Sequence, residues 1–292
     1  MNVFLKRFPV TLLAFLFVSF SGQANAHKNV VKPQKKAILL VAFGTSVAEA
    51  QRAFDKVENK VKNTFPDVEV RWAYTSKMIR EKLKKNGKII LSPTEALAQL
   101  GEEGFTHVYV QSLHIIPGEE FHDLAITVKA FNKLPKNIQK ATLGAPLLSL
   151  NADMERVASI LAKNAPQERK PSDALVYMGH GTAHAANVYY PAMQYYFSKN
   201  DANMFMATVE GTPTLDDVIR ELKKKKIKRV WLKPFMLVAG DHANNDMAGE
   251  EKDSWKSILE KEGFEVHCVL EGLGENDEIN NMWVQHLEAL MK

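Results

Sequence analysis

Three side chains that can hold a divalent metal ion lie in the second half of this chain: His180, Glu210 and His242. Their intervals, about thirty residues each, far exceed the three- or four-residue step that aligns ligands on one helix face. A fold must therefore bring them together. Two imidazoles and a carboxylate suit a first-row divalent ion, and the nitrogen donors disfavour magnesium and calcium. Imidazole also exchanges protons near neutrality, so such a set can move both a metal and protons. Taken singly, a histidine after a strand is commonly a satisfied polar residue and a loop glutamate is commonly solvated. The joint placement points to a site.

Each of the three follows an apolar run of strand length. Ala174 to Met178 runs into Gly179-His180-Gly181-Thr182, and a sister run, Ala37 to Ala42, leads into Phe43-Gly44-Thr45. Unbroken apolar runs ending at glycine-containing turns are the pattern of buried parallel strands. The likeness continues in Thr212-Pro213-Thr214 and Ser92-Pro93-Thr94, both helix starts. It continues again in Ala239-Gly240-Asp241-His242 and Pro117-Gly118-Glu119-Glu120. This register sets Phe43 against His180, Tyr74 against Glu210, and Glu120 against His242. The first half lacks the metal-binding types, so the chemistry is expected in the second.

The elements that must position these residues alternate. Strands are expected at 37–43, 67–74, 106–113 and 139–144, then at 174–178, 203–209, 229–232 and 265–270, with helices between them and a closing helix at 282–291. The fold class expected is α/β, with two similar lobes, each a small parallel sheet flanked by helices. The N-terminal lobe spans 37–150, a crossover 151–173, and the C-terminal lobe with the metal site 174–292. Ligands of parallel sheets sit beyond the strands' carboxyl ends, so a cleft between the lobes is expected there.

Residues 1–26 have the form of a signal peptide: Lys6 and Arg7, an apolar stretch from Val10 to Phe20, and the cleavage motif Ala24-Asn25-Ala26. A leader at 27–36 follows. The apolar stretch falls short of the ~20 residues a span requires, so a periplasmic protein without stable membrane insertion is expected. Removing Lys6 and Arg7 lowers the formal charge from +4 by two, which argues against a nucleic-acid partner. Lys223 to Lys226 read as a solvated helix end. Cys268 is the single cysteine, which excludes an intramolecular disulfide and a thiolate cage.

The segments Met178-Gly179-His180-Gly181, Val209-Glu210 and Leu237-Val238-Ala239-Gly240-Asp241-His242 resemble signatures of the anaerobic cobaltochelatases of the CbiK type. So do Leu113 to Glu120, Gly144 to Leu148 and Gly272 to Asn276, and the likeness covers essentially all of the chain after residue 26. The resemblance implies a two-lobed, ferrochelatase-like fold with a tetrapyrrole cleft. It implies ATP-independent insertion of Co2+ into sirohydrochlorin or precorrin-2, with His180, Glu210 and His242 as metal ligands and proton acceptors. Fe2+ insertion, or a non-enzymatic periplasmic carrier of haem, tetrapyrrole or metal, are the alternatives. His114 at a strand end is a possible tetrapyrrole contact. His122 is a possible axial ligand of haem b at a subunit interface, since haem is known for periplasmic relatives, and a homo-oligomer is expected. Lys77, Arg80 and Lys233 are conceivable partners for the acidic arms of the macrocycle, although ordinary surface charge explains them as well. His107, His184, His267 and His286 read as solvated or core.

Overall fold

A computed structural model describes residues 34–135 and 138–292; the expected signal peptide and most of the leader lie outside them. Eight strands form two parallel sheets. The first holds β1 (Lys36–Ala42), β2 (Glu69–Tyr74), β3 (His107–Ser112) and β4 (Lys140–Gly144) in the order β2-β1-β3-β4. The second holds β5 (Ala174–Gly179), β6 (Met204–Thr208), β7 (Arg229–Pro234) and β8 (Glu265–Cys268) in the order β6-β5-β7-β8. The same order in both halves bears out the two-lobed α/β expectation. The central strands are the most apolar: Ala37 to Ala42 and Ala174 to Met178 are wholly or almost wholly buried. A side chain of this kind contributes about 1.5–3 kcal/mol when buried, and helices cover both faces.

Helices α1 (Gln51–Thr64), α2 (Lys77–Lys85), α3 (Pro93–Glu102) and α4 (Glu119–Phe131) serve the first half. Helices α6 (Tyr189–Asn200), α7 (Leu215–Lys224) and α8 (Trp255–Lys261) serve the second. The start read at Ser92-Pro93-Thr94 is a true capping box. Ser92 Oγ accepts the Glu95 N–H, and the Glu95 carboxylate accepts the Ser92 N–H at 2.7 Å. Thr214 and Asp217 repeat the device on α7.

The segment read as a plain crossover contains α5 (Asn151–Lys163). Its start is marked by Asp153, whose carboxylate accepts the Leu150 N–H at 3.1 Å and the Ser149 hydroxyl at 3.0 Å. The closing helix, α9 (Asp277–Met291), begins five residues before the expected 282, because Asn276 caps it through the N–H groups of Glu278 and Ile279. The two helices are counterparts. Leu147 and Leu148 donate to His114 and Ile115 just as Leu273 and Gly274 donate to Met236 and Leu237. Each nevertheless packs in the other lobe: α5 lies on α6, and α9 lies on α1, β3 and β4. This exchange of closing helices ties the halves together. No described helix is long and apolar enough to cross a membrane.

Candidate functional site

His180 is the first residue after β5 and is placed by a turn that only small residues permit. Gly179 lies on Tyr190, where an added Cβ would fall 2.4 Å from Tyr190 Cε1. Gly181 has φ +84, and a Cβ there would meet the Gly211 nitrogen at 2.6 Å. Tyr190 is buried beneath this turn. Burial pushes its phenol up to about 12, while hydrogen bonds with the Gly181 and His180 backbone pull the other way. Glu120 of the first half also acts on Tyr190, so the two loop systems meet here. Thr45 Oγ1 would stand 3.4 Å from a Cβ at Gly240, a second approach of first-half loop to second-half loop.

The structure brings the predicted histidines together. The His180 and His242 rings lie edge to face at 4.7 Å between centroids and 88° between planes. Their protons are arranged alike. His180 Nδ1 donates to the Gly181 carbonyl at 2.8 Å, and His242 Nδ1 donates to the Asp246 carboxylate at 2.5 Å. Neither oxygen can donate, so on both neutral rings Nε2 carries the free lone pair. This is the tautomer that binds a metal, and a carboxylate behind the ring raises ligand basicity. The centroid separation is of the size two imidazoles have when they share one ion through bonds of about 2 Å. Asp246 escaped the sequence reading; the signal that could have found it is its four-residue step from His242 across a single helical turn. That turn is a π-helix at Ala243–Met247, a local widening often found at functional positions.

Glu210 comes near without closing the set. Its carboxylate lies 4.0 Å from His180 Nδ1, beside the nitrogen already used by Gly181. Among the described residues no three His, Cys, Asp or Glu side chains converge on one metal position. The Glu210 side chain is 61% exposed, so packing leaves it free to change rotamer. The backbone also corrects its counterpart. Glu210 N–H donates to the His180 carbonyl as Ser76 N–H donates to the Phe43 carbonyl, so Ser76, not Tyr74, occupies the equivalent place. The two-residue offset arises because Tyr74 still lies inside β2, whereas Glu210 stands beyond β6. The counterparts Phe43 with His180 and Glu120 with His242 agree with the ladder and loop hydrogen bonds.

The remaining candidates lie outside the His180–His242 pair. His114 follows β3, half-buried, with Nδ1 2.9 Å from Ser112 Oγ and a buried Nε2 that has no hydrogen-bond partner. Burial drops its imidazole to about 4. His122 is exposed near the start of α4, its ring 5.0 Å from that of His184. His184 is half-buried and accepts the Ala186 N–H through Nδ1 at 3.0 Å, so it caps a turn; the solvated-or-core reading missed this because the ring acts through its backbone neighbour. Lys233 pairs with Glu271 at 3.1 Å, Arg80 with Glu95 at 3.6 Å and Lys77 with Glu81 at 3.8 Å. Cys268 is half-buried, its thiol pushed up to about 11 by burial.

The chain is similar to known cobalt chelatases. A family profile described as cobalt chelatase (CbiK) matches residues 36–292. The chain is 41% identical over 265 residues to the sirohydrochlorin cobaltochelatase CbiKC of Nitratidesulfovibrio vulgaris, covering 89% of this chain and 94% of that one. It is 36% identical over 259 residues to a sirohydrochlorin cobaltochelatase of Salmonella typhimurium, covering 88% and 97%. Among solved structures it resembles SirB from Bacillus subtilis with Fe3+, at TM-score 0.57, 14% identity, and coverage of 87% and 95%. That likeness supports the fold.

Proposed function

The chain belongs to the cobalt chelatase (CbiK) family, and from that premise we propose that it inserts Co2+ into sirohydrochlorin without a nucleotide. The observation that carries this reading is the pair His180 and His242. Their rings are 4.7 Å apart, and each is held by its Nδ1–H so that Nε2 presents a lone pair. Insertion exchanges two pyrrole N–H protons for one divalent ion, so the ion must be offered to the ring from a site that does not keep it. Two neutral imidazoles on partly exposed turns meet that need: they bind a borderline ion, and once it has left they can accept protons. Glu210 completes the set after a rotamer change that brings its carboxylate to the ion. At its present place it can also take up a proton beside His180. Phe43, 45% exposed at the position equivalent to His180, offers an apolar face to the macrocycle. Any strain in the ring must come from binding energy elsewhere on it.

Metallation of sirohydrochlorin by Co2+, followed by absorbance, tests the reading. The wild type should turn over without ATP, and His180→Ala or His242→Ala should lose about a hundredfold or more, as expected when a group that offers the metal and accepts protons is removed. Glu210→Gln should lose less. Near wild-type rates in either histidine variant would remove that residue from the mechanism. Fe2+ run in parallel addresses the alternative metal, since the donor set alone does not separate the two. Binding without turnover would indicate a carrier.

Export to the periplasm belongs to the same proposal and rests on residues 1–26 of the sequence. Haem b on His122, at an interface between copies of the chain, is its second part. The His122 ring is exposed, and Ile126, one turn along α4, is 68% exposed; together they fit an apolar ring face with an axial nitrogen. Purified protein should then show a Soret band that His122→Ala abolishes. A band surviving that substitution would dispose of the assignment.

A further inference from the structure

Three imidazoles stand on the loops around the candidate centre, and they do not carry their protons alike. On His180 and His242 the acceptor behind Nδ1 is an oxygen, so Nδ1 holds the hydrogen and Nε2 is a lone-pair donor. On His184 the group behind Nδ1 is the Ala186 backbone N–H, which can only donate. Neutral His184 must therefore carry its hydrogen on Nε2. That ring cannot bind a cation without breaking its own cap. It offers an N–H instead, and this N–H has no hydrogen-bond partner among the described residues.

The loop that carries His184 is firmly built. His184 N–H donates to Thr182 Oγ1 at 3.1 Å, and Thr182 N–H donates to Asn187 Oδ1 at 3.2 Å. The Asn187 amide in turn donates to the Thr212 carbonyl at 2.9 Å. The ring is further held edge to face against His122 of α4. This donor is not among the buried unpartnered atoms: the ring is held in place and the donor opens outward, where a ligand's acceptor can reach it. Four residues reach no more than about 14 Å, so His184 lies within a macrocycle's breadth of His180.

We propose that His184 reads the substrate's charge: its Nε2–H donates to a carboxylate arm at the rim of the tetrapyrrole while His180 and His242 face the centre. The inference rests on the reading of the substrate as sirohydrochlorin, a polycarboxylate. The cations suggested for those arms each already lie beside a carboxylate: Lys233 beside Glu271, Arg80 beside Glu95 and Lys77 beside Glu81. A neutral donor costs less to desolvate than an ammonium and still gains from a charged acceptor.

The discriminating variant is His184→Asn, whose side-chain oxygen can still cap the Ala186 N–H but whose shorter amide nitrogen falls short of the Nε2 position at the outer end of the ring. Sirohydrochlorin binding is titrated by fluorescence without metal, with Co2+ affinity and melting temperature measured beside it. His184→Asn should weaken sirohydrochlorin about tenfold while Co2+ affinity and melting temperature stay at wild-type values. Against the same macrocycle with its acids esterified, wild type and variant should bind alike. Unchanged sirohydrochlorin affinity in His184→Asn would overturn the inference, and so would a loss of Co2+ affinity. His184→Ala, which removes cap and donor together, should add a fall in melting temperature; if it gives no more than His184→Asn in either measurement, the capping geometry that fixes the tautomer is refuted. A wild type that binds sirohydrochlorin but does not metallate it would defeat the proposed reaction and leave this inference standing. A wild type that does not bind sirohydrochlorin would defeat both.

Discussion

At the scale of single residues, the site is a matter of where each imidazole keeps its proton. The sequence supplies histidines of one type, and the backbone and carboxylate groups behind them divide them into rings with a free Nε2 lone pair and a ring with an outer Nε2–H. His114 is a third kind. Burial takes it to about 4, below the ordinary value of 6.5. Between those limits the unfolded chain binds a proton that the folded chain does not. Stability should therefore fall as pH drops through 6.5 towards 4, and this contribution should level off below that. Urea titrations across the window should show the slope, and His114→Gln should flatten it; an unchanged slope would remove His114 as its source. The neutral ring also explains why His114, although at a strand end like His180, makes a poor proton carrier from its present place.

At the scale of elements, strands and caps were legible and exchanges were not. Ala37 to Ala42 and Ala174 to Met178 could be read as buried strands because no polar residue interrupts them. The pairs Ser92 with Glu95 and Thr214 with Asp217 announce their helices locally. Helix α5 (Asn151–Lys163) is hidden in the sequence because its segment follows Gly144-Ala145-Pro146 and reads as a connection between the lobes. Its counterpart α9 was seen, but nothing in its amphipathic pattern says which sheet it covers. The structure places α9 on α1, β3 and β4. Trp283 on α9 is 1% exposed, so Trp283→Ala should cost about 3–5 kcal/mol. Circular dichroism in denaturant should show this as one shifted transition. A first transition confined to part of the helical signal would mean that the exchanged helices do not couple the halves.

At the scale of the whole molecule, the two halves repeat one plan and differ at the loop positions that carry metal-binding residue types. Both halves carry the same strand order and the same loop hydrogen bonds, down to Leu147 and Leu148 beside Leu273 and Gly274. Where the second has His180, Glu210 and His242, the first has Phe43, Ser76 and Glu120. The first-half loops still reach the site: Thr45 approaches Gly240 and Glu120 acts on Tyr190. On the proposed function, the second half offers the metal and the first half an apolar wall for the macrocycle.

The sequence alone determined the alternation of strands and helices, the internal repeat and the candidate trio, because hydrophobic period, caps and residue type are local properties. Only the tertiary structure decided that His180 and His242 share one space while Glu210 stands to the side. It also decided that Asp246 backs His242, and that His184 presents a donor where its neighbours present lone pairs. The meeting of His180 and His242 is settled by packing between segments far apart in the chain, whereas the group behind each ring lies within four residues of it and depends on the turn the backbone adopts there.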